Sequence, residues 1–455
     1  MTARSIKFTV LDVGQGTGNF IATYSVTSPK LDTAPDHTVL IDLGASDSKS
    51  GPGGPAADWV VDQLERMSPP TLDWLLFSHS DSDHHNLMKK VLESFDPPGT
   101  KNPTKKILTI AKAAYGGDKD SYTKNKYNIL DDVAKYLTGG AKAFLEIQSS
   151  ASGFSGGTVE KMDTVDGVDL YLLVGNAPRS AAGKRLSRST RVTSWAVNTQ
   201  SLVVMLSYAG VQYVTTGDAT GVTMSWINQY ITSTQANTYL PNVFMLTLPH
   251  HGSETTSYCL SSTGRGKGRN DDNATENVQQ FADLMKARTI TASAGETNSY
   301  NHPSGYLMKQ FWSHLQSNAY EEPSNSGSHY YTAYFDKNDK FTVQDSPSSM
   351  ALDFPDTSRF YTVKTAKDIY TTVNFSEEHL SDPGDCETVI LPPNPAKHVD
   401  TPTGAPYPEL FVAWAYVTTD AGSTDVSPLW RTGSTSPDAA FAMGPRGEVA
   451  PRDDE

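Results

Sequence analysis

Apolar positions in the first third of the chain fall into short runs, each closed by Gly, Asp or His. "IKFTVLDVGQG" predicts a strand entering a Gly-rich turn, "NFIATYSV" a second strand, and "HTVLIDLG" a third that closes on Asp42 and Gly44. Strands then alternate with helices. "AADWVVDQLERM" has helical spacing, "LDWLLFSH" is an apolar run of the kind buried on both faces, and "NLMKKVLESF" is helical again. The stretch from about 96 to 195 is less regular and reads as an insertion, with a strand and loop at "KKILTIAKAAYGG" and a helix at "YNILDDVAKYL".

Regular alternation resumes after it. "SLVVMLSYAGVQYVTTGDAT" is two strands around Tyr208-Ala209-Gly210, the second ending at Asp218; "MSWINQYI" is a helix, and "VFMLTLPHHGS" a strand ending in two histidines. "NVQQFADLMKA" is a helix, "TITASAG" a strand, "HPSGYLMKQFWSHL" the start of another helix, and "HYYTAYFDKNDKFTVQ" a terminal hairpin. Beyond residue 345 the texture changes to Pro, Gly, Ser and Thr with strand-like pieces such as "LFVAWAYVTT". We therefore expect a layered α/β domain over 1–345 and a small β-rich extension over 346–455 that ends in a flexible acidic tail. No internal repeat and no helix-turn-helix or zinc-finger pattern is present in the sequence.

Four strand ends deliver His or Asp to loops: residues 79 to 84, 218, 250 to 251 and, just beyond a strand, 302. Loops at one end of layered sheets share a rim, so dispersed residues can meet there. The densest is "FSHSDSDHH". On a loop, His79, Asp81, Asp83 and His84 can serve two metals a few ångströms apart, which lower the pKa of bound water and clamp the oxygens of a displacement. The plainer reading, a polar loop with Asp83 or Asn86 capping the next helix, accounts poorly for three His and two Asp in seven residues. The chain has only two cysteines, so a metal here is held by His and Asp, a mixture suited to Zn or Mn.

At 455 residues and 37% apolar composition the chain can bury a large core. Few cysteines, the lack of an apolar run near 18 residues, and a start without a hydrophobic signal core lead us to expect a cytoplasmic protein with no membrane insertion. A formal charge of -14 argues against wholesale adhesion to nucleic acid or anionic lipid. Two basic stretches stand out against it: "RSAAGKRLSRSTR", with Arg185 and Arg188, and "GRGKGR", with Lys267. In isolation each reads as a solvated loop.

The ordered set "LDVGQG", "VLIDLG", "FSHSDSDHH", "NTQSLVVML", "VTTGDAT", "LPHHGS" and "SYNHPS" resembles the metallo-β-lactamase superfamily, and within it the soluble domain attached to ComEC-type DNA-uptake proteins. The resemblance covers about 1 to 345. It implies an αββα sandwich with two divalent metal ions, Zn or Mn, at one edge. It implies His79, Asp81, Asp83 and His84 as ligands, Asp218 as the bridging carboxylate, and one of His250 and His251 completing the second site. We favour His250 as that ligand and place His251 facing substrate. Asp42 is implied to orient a ligand histidine, and His302 to lie near the scissile group as ligand, oxyanion partner or acid. Three departures stand out. Thr17 replaces an acidic residue, His85 and Asn86 replace small residues where substrate approaches, and "NTQS" stands where many members supply a further histidine.

The implied function is metal-dependent hydrolysis of a phosphodiester by a metal-bound hydroxide, with Asp83, His251 and His302 at the reaction, most naturally in a nuclease. Arg185, Arg188 and Lys267 would grip the nucleic-acid backbone over the metal rim. A hydrolase of a small substrate (cyclic nucleotide, lactone or lactam) and a non-catalytic binding protein with a degraded site are the alternatives.

Overall fold

The computed structural model describes residues 5–11, 13, 15–26, 33–46, 53–124, 127–139, 143–147, 159–177, 194–231, 240, 243–260, 270–287, 289–293, 307, 310 and 311, and further strands between 329 and 440 by their backbone pairing. The elements in chain order are β1 (Ser5–Leu11), β2 (Gly16–Tyr24), β3 (His37–Ala45), α1 (Gly53–Arg66), β4 (Thr71–Phe77), α2 (Met88–Glu93), β5 (Thr109–Tyr115), β6 (Thr123–Lys124), β7 (Tyr127–Asn128), α3 (Ile129–Tyr136), β8 (Phe144–Glu146), β9 (Glu160–Val165) and β10 (Val168–Val174). They continue with α4 (Ser194–Asn198), β11 (Val203–Tyr208), β12 (Val211–Thr215), α5 (Gly221–Tyr230), β13 (Val243–Thr247), a longer helix Asp272–Met285, β14 (Thr289–Ser293), β15 (His329–Phe335), β16 (Phe341–Ser346), β17 (Arg359–Val363), β18 (Phe411–Thr419), β19 (Thr424–Trp430) and β20 (Ala439–Ala440).

Two nine-stranded sheets form, one in the order β20-β19-β18-β1-β2-β3-β4-β5-β8 and the other β16-β15-β17-β14-β13-β12-β11-β10-β9. Each mixes an antiparallel half with a parallel half: β1 to β3 are antiparallel neighbours, whereas β3, β4, β5 and β8 run parallel. β4 lies between the parallel β3 and β5, which explains the apolar run Trp74–Phe77 at its end, since a strand with parallel neighbours is covered on both faces. In the second sheet β11 and β12 are joined by Ala209 and Gly210, at φ 49° and 79°, the left-handed pair that a two-residue hairpin matched to strand twist requires.

The sheets pack face to face. Phe8 of β1 and Tyr213 of β12 stack with ring centroids 4.9 Å apart, Trp74 Nε1 donates to Asp163 Oδ2 at 2.7 Å, and Lys112 Nζ reaches the same oxygen at 2.7 Å. On the outer face of the first sheet, Trp59, Val60, Val91, Leu130 and Val133 from α1 to α3 close one apolar cluster over Leu40, Leu75 and Ile110. On the outer face of the second, Met224 and Ile227 of α5 and Val278 and Phe281 of the longer helix close another over Val214, Leu246 and Ile290. This is the αββα arrangement that the sequence led us to expect.

Segments far apart in sequence complete the sheets. β5 and β8 extend the first sheet, β9 and β10 extend the second, and both pairs come from the less regular stretch between 96 and 195. From beyond residue 345, β17 lies between β14 and β15, while β18 pairs with β1 from Ser5 with Thr419 to Leu11 with Ala413. Among the described residues, no helix is long and apolar enough to cross a membrane.

Candidate metal centre

The site is built where four chain segments leave the two sheets. The first is the end of β3, where Asp42 adopts φ 57°, a left-handed conformation that an L-residue other than glycine takes only when its surroundings hold it there. Its side chain is fully buried. Ser78 N–H donates to Asp42 Oδ1 at 2.7 Å, the Ser78 hydroxyl donates to Oδ2 at 2.6 Å, and His84 Nδ1 donates to Oδ2 at 2.9 Å.

The second segment follows β4. From Ser78 the chain runs through His79 and Asp81 into a short 3-10 turn, Ser82–His84. That turn lies directly on β3 because residue 44 is glycine: a Cβ there would stand 2.5 Å from the backbone of Asp83, His84 and His85. Asn86 ties the loop to the same strand, accepting from Ala45 N at 3.0 Å and donating to Ala45 O at 2.7 Å. His85 faces inward against the rings of Phe77 and Tyr122, with Nε2 3.2 Å from Ser80 O, and burial pushes its pKa down to about 4. The two residues that replace small ones in the sequence motif therefore brace the loop from behind.

The third segment is the turn after β12. Gly217, at φ 51°, lets this turn pass the Ser78 side chain, since a Cβ there would be 2.7 Å from Ser78 Cβ. Asp218 follows, 2% exposed, with its N–H donating to Ser201 Oγ at 3.1 Å. The fourth is the turn after β13, where His250 and His251 both have positive φ, 47° and 55°.

These segments converge on Asp218. Its Oδ1 lies 2.9 Å from His84 Nε2 and 3.3 Å from His251 Nε2; its Oδ2 lies 3.3 Å from His250 Nε2 and 3.6 Å from His79 Nε2. Asp81 Oδ2 is 3.8 Å from His79 Nε2, and Asp83 Oδ2 is 3.7 Å from His251 Nε2. Two groups of donors can each surround an ion: His79, His84 and Asp218, and Asp83, His84 and His251. Donors about 2.1 Å from a tetrahedral ion are about 3.4 Å from one another, which is the spacing found here.

Hydrogen bonding sets the tautomers. Ser78 Oγ, committed as a donor to Asp42, accepts from His79 Nδ1 at 3.0 Å, while His84 Nδ1 donates to Asp42. Both rings therefore turn an Nε2 lone pair toward Asp218 when neutral. His79 Nε2, His84 Nε2, His251 Nε2 and Asp218 Oδ1 are buried without an aligned hydrogen-bond partner. Buried polar atoms are rarely left so. Four of them gathered around one carboxylate, within two groups of ligand-type side chains, fit divalent cations.

The charges agree with this. Burial raises the cost of ionising Asp218, yet His250, His84 and His251 around it hold its pKa well below 3.8. Asp83 is only partly exposed, which works to raise its pKa, but its contact with His251 and the nearby His84 lower it. Burial works against protonating His84, but Asp218 and Asp42 on its two sides raise its pKa well above 6.5; His251 is raised too, by Asp218 and Asp83 against the effect of burial. His250 goes the other way, lowered by burial.

Of the residues expected from the sequence, His79, Asp81, Asp83, His84, Asp218, His250, His251 and Asp42 meet in this cluster. We favoured His250 as the ligand completing the second site, with His251 facing substrate; in the cluster both rings face Asp218, His251 beside Asp83 and His84 at Oδ1 and His250 at Oδ2, which His79 also faces. Arg185, Arg188, Lys267 and His302 lie outside the described residues. Sequence reasoning missed Ser78, whose hydroxyl fixes His79 and Asp42, and Asn198, whose Nδ2 is 3.4 Å from both ring nitrogens of His250. A lone serine or asparagine carries no spacing signal.

No protein-family profile matches the chain, and no curated protein matches it. Among solved structures, a variant of the CmlA β-hydroxylase overlaps 65% of this chain and 46% of its own, with 9% identity and a TM-score of 0.30. The chain thus spans less than half of that protein. A diphosphatase of the PhnP family overlaps 64% of this chain and 87% of its own at 10% identity and TM-score 0.28. Zinc-bound PqqB from Methylobacterium extorquens overlaps 64% and 81% at 12% identity and TM-score 0.31. Similarities this remote leave the chemistry to be argued from the cluster itself.

Proposed function

We propose that this protein is a metal-dependent phosphodiester hydrolase of the metallo-β-lactamase superfamily, acting on nucleic acid as the ComEC-type resemblance of its motifs implies. The observation that carries the reading is Asp218, whose two carboxylate oxygens face two different sets of histidines. That is the arrangement of a carboxylate shared by two cations. Two divalent ions, Zn or Mn, would be held by His79, Asp81 and Asp218 on one side and by Asp83, His84, His251 and Asp218 on the other. When bound they supply an activated water and neutralise charge on the phosphate oxygens.

The protein's own groups do the rest. Asp42 and Ser78 hold the rings of His79 and His84 in one orientation, so the donors need no rearrangement. Asp83, one-fifth exposed at its side chain and held ionised, is an acceptor that orients a water at the open side of the cluster. Buried His79, His84 and Asp218 exclude bulk solvent from the floor.

Chain connectivity supports a polymeric anion as substrate. Asn198, against His250, is four residues from Ser194, and Arg188 precedes Ser194 by six, so a fully extended chain places Arg188 within about 21 Å of Ser194. Lys267 follows Leu260 by seven residues, on the segment leaving the His250–His251 turn. These chain lengths permit a nucleic-acid backbone running over the metal rim to meet both basic stretches.

The test is digestion of single- and double-stranded DNA and RNA with Mn²⁺, Zn²⁺ or chelator, beside bis-p-nitrophenyl phosphate and a chromogenic β-lactam. The expected result is metal-dependent cleavage of a nucleic acid and of the phosphodiester, abolished by chelator. In a variant with Arg185, Arg188 and Lys267 replaced by Ala, oligonucleotide binding weakens and its salt dependence flattens by about one unit of slope per lost contact, while bis-p-nitrophenyl phosphate turnover is kept. Hydrolysis of the lactam alone would overturn the reading.

A further inference from the structure

The tandem histidines are placed as no simple turn requires. Adjacent residues that both take left-handed backbone conformations are unfavourable for side chains with a Cβ, and here both are histidines. The result is a divergence: the two rings, 5.7 Å apart between centroids and inclined at 66°, face opposite oxygens of one carboxylate. The backbone of the first is fixed relative to that carboxylate, because His250 N–H donates to Gly217 O at 3.1 Å in the turn that carries Asp218.

The two sides of Asp218 are otherwise unequal. One has His84, His251 and Asp83; the other has His79 and the more exposed Asp81. His250 Nε2, 3.3 Å from Asp218 Oδ2, lies closer to that oxygen than His79 Nε2 does. Asn198, on α4, offers its amide at 3.4 Å from the ring nitrogens of His250. With the Asn198 amide turned about its Cβ–Cγ bond, its oxygen takes that place and accepts from Nδ1–H, which leaves Nε2 with its lone pair directed to Oδ2 and the space before it. Asn198 occupies the segment in which the sequence shows no further histidine.

We propose that the His250–His251 pair is split between two metal sites: His250 is a ligand of the ion held by His79, Asp81 and Asp218 Oδ2, positioned by Asn198, and His251 is a ligand of the ion held by Asp83, His84 and Asp218 Oδ1. This rests on the two-metal reading above and assigns ligands within it. A single dipeptide thereby completes both sites.

The test uses the full chain, stripped with chelator and titrated with Zn²⁺ against a chromophoric competitor, which gives a dissociation constant for each site without any substrate. His250→Gln weakens one site about tenfold or more and leaves the other nearly unchanged; His251→Gln weakens the other site. Asp81→Ala weakens the same site as His250→Gln, and Asn198→Ala weakens it less. Circular dichroism and thermal melting establish that each variant is folded, and the milder Asn198→Ala keeps the test available if His250→Gln is not. Unchanged constants in both His250→Gln and Asn198→Ala, or loss in His250→Gln of the site that His251→Gln loses, would overturn the assignment. A parent chain that takes up no metal would instead overturn the two-metal reading on which it rests.

Discussion

Asp42 Oδ2 and His84 Nδ1 stand 2.9 Å apart, both buried, at a point where Asp42 is itself held in a left-handed conformation. The pair fixes which nitrogen of His84 faces Asp218. Replacing Asp42 with Ala frees the ring and strands Ser78 N–H, so divalent-ion affinity should fall about 10–100-fold. Stability in chelator should fall by about 3 kcal/mol, the cost of leaving one member of a buried charged pair alone. Competitive metal titration and urea unfolding check the two effects separately.

Gly44 lets the ligand loop rest on β3. In Gly44→Ala the added methyl meets the backbone of Asp83, His84 and His85 at 2.5 Å, which no side-chain movement relieves. We expect a loss of about 1–3 kcal/mol and weakened metal binding on the Asp83 side. Gly54→Ala, where only the flexible end of Lys90 lies within 4 Å at 3.8 Å, should leave both unchanged. Urea midpoints and metal stoichiometry distinguish the two variants.

Protons and metals compete for the cluster. His84 and His251 are raised above the ordinary 6.5, so in chelator their protonated forms add stability that is full below that value and is lost as pH rises through their folded values. Asp83 and Asp218 are lowered below 3.8, so their contribution is present above that value and is lost as pH falls through the depressed values. The metal-free chain should therefore draw most stability from the cluster between about pH 4 and 6.5. Metal binding should release protons and strengthen from pH 6 to 8. Calorimetric titration in buffers of different ionisation enthalpy reads the proton count, and a binding heat independent of buffer would contradict it.

The cluster was legible where its residues are local. His79, Asp81, Asp83 and His84 sit in one loop after an unmistakable buried strand, and Asp218 and the two histidines each follow a strand of the same kind. What was not legible depends on backbone conformation and on distant pairing. The side of Asp218 that each of His250 and His251 faces follows from two consecutive positive φ values, which the letters "HH" do not encode. His85 and Asn86 brace the loop because Tyr122 and Ala45 approach from elsewhere in the chain. The same holds for the fold: each strand of the β11–β12 hairpin is announced by its own pattern, but nothing near "LFVAWAYVTT" says that it pairs with β1.

The stack of Phe8 on Tyr213 holds the sheets together away from the metal cluster. Tyr213→Ala should cost about 3–5 kcal/mol in urea unfolding, as expected for a large aromatic removed from a packed core. Metal stoichiometry of the folded variant should match the parent. A loss of metal without loss of stability would show that the sheet interface and the cluster are coupled in a way this account lacks.

The central claim is that Asp218 bridges two cations, and anomalous scattering from crystals of the Mn²⁺-loaded chain tests it most directly. The account predicts two peaks about 3.5–4 Å apart on either side of the Asp218 carboxylate, one beside His79 and His250 and one beside His84 and His251. A lone peak touching only one carboxylate oxygen, or no peak at Asp218 in crystals that carry manganese elsewhere, would contradict it.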